Sequence, residues 1–258
     1  MRRGIIILEG PDASGKTTLA KGLFDYYMKT PLVPLGCPPR FQLGYTPVQF
    51  IARSGPRRNI GAYQLAALHK ALGFDGITII DRHWISEEVY GSVYRPRVTP
   101  VSFQTSRFMF DMLLNLPCLY VMCNPAADKA PFLHVATMEQ GIEQRFKEDD
   151  RMEQVRRLFR LIAGDACSDR ATPTGLANGS LAMAIARNGG MYRLAESFPY
   201  LIHALSHDVT SEVGRWTPEA VADVMRTTQR QWRSVVAHKG QRQVLMHEAR
   251  KALQHLLA

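Results

Sequence analysis

What the sequence lacks already narrows its class. No uninterrupted apolar run approaches the ~20 residues that a membrane-spanning helix requires. The apolar stretch Ile5 to Leu8, behind a basic start, is too short for a secretory signal, and Glu9 ends it without a small-residue cleavage site. The expected location is the cytosol, with no membrane partner. Cysteine is scarce. Cys37, Cys118, Cys123 and Cys167 form no C-x-x-C pair and have no suitably spaced histidines, so no zinc site is expected. Buried thiols are the ordinary reading, and Cys118 and Cys123 should face opposite sides of one strand. Repeats and low-complexity tracts are missing too. With 46% apolar and 21% charged residues the chain is not disordered, and 258 residues can bury a sizeable core without a staple.

Acidic residues are in short supply. Lys and Arg number 32 against 23 Asp and Glu, for a net charge of +9. The imbalance is local. Residues 31–60 contain Arg40, Arg53, Arg57 and Arg58 and no acid. Residues 226–258 contain Arg226, Arg230, Arg233, Lys239, Arg242, Arg250 and Lys251 against Glu248 alone. Such a surface attracts nucleic acid, anionic membranes or phosphorylated small molecules.

What is present is an alternation of strands and helices. Gly4 to Glu9, Gly76 to Asp81, Cys118 to Cys123 and Tyr200 to Leu205 read as buried parallel strands, with Pro31 to Leu35 as an edge candidate. Helical patterns run from Lys16 to Lys29, Ala62 to Gly73 and Phe103 to Leu116, the last with Phe108, Met112 and Leu116 as its apolar stripe. The spacing predicts an α/β fold with a parallel sheet flanked by helices. Glu139 to Ile162 is a charged helical stretch, and 164–190 turns to small residues, as in an insertion or long loop. Thr217-Pro218-Glu219 starts a helix to about Val236, and Gln241 to Leu257 forms a last one.

Two local patterns carry chemistry. Gly10-Pro11-Asp12-Ala13-Ser14-Gly15-Lys16-Thr17 fits G-x-x-x-x-G-K-[ST] between a strand and a helix. Glycines let the backbone wrap phosphates with inward amides, and the helix adds its positive end. Lys16 would place a charge on the β/γ phosphates of ATP, and the Thr17 hydroxyl would help hold Mg²⁺. The second pattern, Asp81-Arg82-His83-Trp84-Ile85-Ser86, stands at the carboxyl end of a core strand, where open α/β sheets place ligands. Asp81 can hold a metal or orient an acceptor, and Arg82 can clamp a phosphate.

With these residues together the chain resembles the thymidylate kinase family of P-loop kinases. Asp12 matches an acidic residue inside that family's phosphate loop. Asp81 to Ser86 matches its Asp-Arg-Tyr-x-x-Ser segment, with His83 for Tyr. Asp150-Arg151-Met152-Glu153-Gln154 matches the lid of bacterial members. The resemblance implies a helical lid at about 139–160, with Arg145 and Arg151 stabilising charge on the transferring phosphoryl group. It implies a kinase domain over 1–225, from which the low-charge insertion at about 164–190 and the basic helical extension over 226–258 depart. The family's Arg-Glu-Pro segment is replaced by Cys37-Pro38-Pro39-Arg40, so the donor side is kept and the acceptor side altered.

Two acceptors fit that pattern. One is a free deoxynucleoside monophosphate of the thymidylate kind. The other is DNA containing a modified pyrimidine, as in the phage kinases of thymine hypermodification, which phosphorylate 5-hydroxymethyluracil. The DNA reading accounts for more of the charge and for the altered segment, because a polymer needs phosphate-tracking residues. It expects Arg226, Arg230, Arg233, Lys239 and Arg242 beside the catalytic centre. A third reading is a nucleic-acid-binding module that uses ATP as a switch.

Overall fold

The computed structural model describes residues 3–30, 45–52, 60–95, 103–125, 129, 150–165, 175–176, 179–199 and 202–237, and a few positions between 243 and 251. The described strands are β1 (Gly4–Glu9), β2 (Val48–Ala52), β3 (Ile77–Asp81), β4 (Cys118–Cys123) and β5 (Ile202–His207). They form one parallel sheet in the order β2-β3-β1-β4-β5. β1, β3 and β4 are buried along their whole length, which is why they read as continuous apolar runs.

Side chains alternate between two cores. Ile5 and Ile7 enter the larger one, while Ile6 and Leu8 enter the smaller. The smaller core is closed by α1 (Lys16–Lys29) and α8 (Pro218–Ala237) through Leu19, Ala20 and Leu23 on one and Val221, Ala222 and Met225 on the other. The larger is closed by α2 (Ile60–Gly73), α3 (Trp84–Tyr94), α4 (Phe103–Leu113), α5 (Asp150–Ala163), α6 (Leu181–Arg187) and α7 (Gly190–Ser197). Cys118 belongs to the larger core and Cys123 to the smaller, as their spacing required. β1 and β3 are neighbours, yet the chain leaves them toward opposite faces. That divergence makes their carboxyl ends the switch point at which open α/β sheets place a ligand crevice.

Several expectations are corrected. One edge of the described sheet is β2 at Val48–Ala52, a strand outside the expected set; the candidate Pro31 to Leu35 lies outside the described residues. Trp84 to Tyr94 is a helix that no periodicity announced. On α4 the stripe is turned: Phe108 is 56% exposed, while Met109, Phe110 and Leu113 are buried. Within the stretch 164–190, expected as an insertion or long loop, residues 181–187 form α6 and Gly190 opens α7, and these helices place Leu181, Ala182 and Met191 in the larger core. α6 starts at an N-cap, where Ser180 Oγ accepts from Met183 N at 3.1 Å. The boundary drawn between 225 and 226 falls inside α8, whose later residues Trp232 and Val235 are still buried. The described part of α8 is therefore integral to the domain. The last helix, Gln241 to Leu257, lies almost wholly outside the described residues.

If 181–197 is core, Met191→Ala should destabilise the protein by about 2–4 kcal/mol in urea denaturation, since the thioether is fully enclosed. A loss under ~0.5 kcal/mol would mean that the segment is an appended loop.

Candidate functional site

After Glu9 the chain wraps from Gly10 to Thr17 and enters α1. Two glycines are forced there. Gly10 has φ 150°, and a Cβ on it would lie 2.2 Å from the Cys123 carbonyl oxygen. Gly15 has φ 79°, and a Cβ there would lie 2.3 Å from Val209 Cγ1. Ala13 also sits in the left-handed region, at φ 58°. α1 begins with no side-chain cap and no acidic residue in its first turn. Its amide end therefore keeps a partial positive charge suited to an anion.

The loop is held together from inside. Ser14 Oγ donates to the Pro11 carbonyl at 2.8 Å, and the Lys16 ammonium donates to that carbonyl and, at 2.9 Å, to Ser14 Oγ. Burial, together with the neighbouring Arg82 charge, holds the Lys16 pKa below its usual range. Thr17 Oγ1 donates to Asp81 Oδ2 at 2.9 Å. Asp81 Oδ1 is buried without a hydrogen-bond partner. A hydroxyl beside a carboxylate with one uncommitted oxygen fits part of the oxygen ligand set of a hard divalent cation. Among the described residues no group of three or more His, Cys, Asp or Glu side chains forms a complete metal cage.

Arg82 closes the crevice from the β3 side. Its backbone is left-handed, at φ 68°, and its N–H donates to the Leu8 carbonyl at 3.0 Å. That turn sends the guanidinium back over the loop. There it pairs with Asp12 and donates to the Gly10 carbonyl at 3.2 Å. Burial alone would disfavour the charge, but Tyr90, Asp12 and Asp81 around it raise the pKa further. The Asp12 N–H donates to the Tyr90 hydroxyl at 2.9 Å, and the Arg82 Cζ lies 5.0 Å from the Tyr90 ring centre. Arg151 is exposed on α5, its Cζ 5.2 Å from the Tyr94 ring centre. Tyr94 stacks on Tyr90, with 6.2 Å between ring centres. Lys16, Thr17, Asp81, Arg82 and Asp12 thus meet in one crevice, and Arg151 reaches it through two rings. All of 139–149, Arg145 included, lies outside the described residues.

Sequence reasoning missed Glu9 as a site residue. By strand parity its side chain joins Ile5 and Ile7 on the face where α3 packs. Its carboxylate accepts from His83 N at 2.9 Å, from Ser86 N at 3.1 Å and from the Ser86 hydroxyl. This caps α3 and fixes the turn that carries Arg82. The signal available was the acid at the end of a buried strand, without any hint of its distant partner. Burial pushes the Glu9 pKa up to about 7 and that of His83 down to about 4. Glu88, also pushed up to about 7 by burial, accepts from Ala182 N at 2.8 Å and so fixes α6.

The two glutamates give a pH test. Between the ordinary value of 4.5 and about 7 the folded carboxyls hold protons that the unfolded ones release. Their contribution to stability therefore falls as pH rises through that window, each by up to about 1.4 kcal/mol per unit. Relative to wild type, Glu9→Gln and Glu88→Gln should each flatten that fall in urea titrations from pH 4.5 to 7.5. Parallel curves would show ordinary carboxyls at both places.

The basic residues of α8 stand elsewhere. Gln229 donates to the Arg3 carbonyl at 3.1 Å, next to the amino end of β1. Arg226 pairs with Asp223 and donates to Tyr26 at 3.2 Å. At ~3.3 Å per residue, β1 puts about 20 Å between that end and the 10–17 loop. The expectation that Arg226, Arg230 and Arg233 lie beside the crevice is corrected: they lie toward the opposite end of the sheet. Lys239 and Arg242 lie outside the described residues.

No family model matches the chain, and no curated protein is significantly similar to it.

Proposed function

We propose that the protein is an ATP-dependent phosphotransferase, a P-loop kinase of the thymidylate kinase type, with Mg²⁺ as cofactor. The observation that carries the reading is Thr17 bonded to Asp81, with Asp81 Oδ1 uncommitted, beside Lys16 in a glycine-bounded loop. In this reading the amides of Gly10 to Thr17 and the α1 terminus bind the ATP phosphates. Lys16 neutralises charge that grows on the β/γ bridge. Thr17 Oγ1 and Asp81 would hold Mg²⁺, which supplies charge neutralisation across the phosphate oxygens. Arg82, tethered to Asp12 and Gly10, meets the transferring phosphoryl group from the acceptor side. Arg151 adds positive charge as the transition state forms.

For the acceptor we infer the hydroxymethyl group of 5-hydroxymethyluracil in DNA, ahead of a free deoxynucleoside monophosphate. Support comes from the net charge of +9 and from the acid-free stretch 31–60. That sequence continues from Ala52, level with Asp81 in the sheet register, into Arg53, Arg57 and Arg58. The arginines of α8 lend no support, given where they stand.

The deciding experiment offers γ-labelled ATP with dTMP, hydroxymethyl-dUMP and hydroxymethyluracil-containing DNA side by side. Label on the DNA alone is the expected result. Label on a free nucleotide would move the assignment to a monophosphate kinase. ATP hydrolysis that ignores every acceptor would replace both with an ATP switch.

A further inference from the structure

Four side chains from three parts of the chain form a ladder beside the crevice. They follow in the order Arg82, Tyr90, Tyr94 and Arg151, with neighbouring centres 5.0, 6.2 and 5.2 Å apart. The two rings lie four residues apart on α3, so they share one helix face, and their planes are 17° from parallel. Each tyrosine takes one guanidinium, the arrangement in which a cation gains from the ring quadrupole. The Tyr90 end is fastened: its hydroxyl accepts from Asp12 N, and Arg82 pairs with Asp12. The α5 end touches twice. Phe159 meets Tyr90 edge-on at 6.1 Å, and Arg151, two turns earlier, lies over Tyr94.

We propose that Tyr94 is a positioning residue: it seats Arg151 on the tyrosine pair and so fixes that arginine relative to Arg82 and the 10–17 loop. Ordering an exposed arginine side chain costs rotamer freedom, and whatever part of that cost is not met beforehand would fall on the transition state. The ring removes part of that freedom in advance. The consequence for turnover rests on the phosphotransferase reading; the seating of Arg151 does not.

The test has a spectroscopic and a kinetic arm. In wild type the side-chain protons of Arg82 and Arg151 should both show ring-current shifts by NMR. Tyr94→Leu, which keeps apolar bulk, should return Arg151 to solvent values and leave Arg82 shifted. Tyr94→Phe, which keeps the ring, should leave both shifted. In phosphoryl transfer Tyr94→Leu should lower kcat by about 3- to 30-fold with little change in ATP affinity, and Tyr94→Phe should restore it. Tyr94→Leu combined with Arg151→Ala should be no slower than Arg151→Ala alone. Arg151 signals unmoved by Tyr94→Leu would overturn the proposal. So would Tyr94→Leu keeping full kcat, or adding its loss to that of Arg151→Ala, where Arg151→Ala itself is slowed. Failure of wild type to transfer phosphate to any acceptor strikes the phosphotransferase reading instead, and the NMR arm still decides the seating.

Discussion

Lys16→Ala is expected to lower phosphoryl transfer by about 10³-fold or more, with the fold intact. The ammonium sits buried inside the loop, and no water can replace its charge where the β/γ bridge would lie. Losing one preorganised neutral donor at a developing charge costs about 10²–10³-fold, and a full charge counts for more. The fold should tolerate the change. α1 is anchored by Leu19, Ala20 and Leu23, and Lys16 is itself held against the penalty of burial. Single-turnover transfer from γ-labelled ATP, alongside thermal denaturation, measures both halves. Turnover near wild type would remove the 10–17 loop from the site.

Gly10→Ala should be the most damaging single methyl in the loop. The added Cβ would sit 2.2 Å from the Cys123 carbonyl oxygen and 3.0 Å from Ser14 Oγ. The first of these is backbone of a central strand, so neither side can yield cheaply. A φ of 150° adds a conformational cost that the other L-residues share. Together these should destabilise the protein by about 3 kcal/mol or more and abolish nucleotide binding, since relief requires the loop to move. Gly73→Ala is the control, because a Cβ there meets nothing within 4 Å. Urea denaturation with ATP-binding calorimetry on both variants would decide. Equal behaviour of the two would show that Gly10 is not pinned against β4.

The sequence was most readable where structure is local. β1, β3 and β4 are buried on both faces, so each appears as a short apolar run with turns around it. The loop and the Asp81-Arg82 pair are contiguous patterns at strand ends. α3 escaped notice for the converse reason. With Ser86, Glu87 and Glu88 buried alongside Trp84, Ile85 and Val89, it has no polar stripe to give a helical period. β2 is an edge strand of intermediate burial directly after Pro47, and it lacks the run of its neighbours. α6 and α7 are short and separated at Gly189, so their small residues imitate a loop. Glu9 and Tyr94 depend on partners far along the chain, His83 and Arg151, and no short window of sequence contains both sides of those contacts.

Among the described residues, the two left-handed positions without a glycine's freedom, Ala13 and Arg82, stand at the Asp12–Arg82 contact. Each costs of order 1 kcal/mol or more relative to relaxed backbone. Random drift toward stability would replace them: glycine at 13 relieves the loop, and glycine or asparagine at 82 relieves the turn. Either change loosens the crevice or deletes its guanidinium. Lineages selected for thermal endurance alone should therefore lose these two residues early. Lineages that keep the activity must find their added stability elsewhere, in the two cores or at the helix ends.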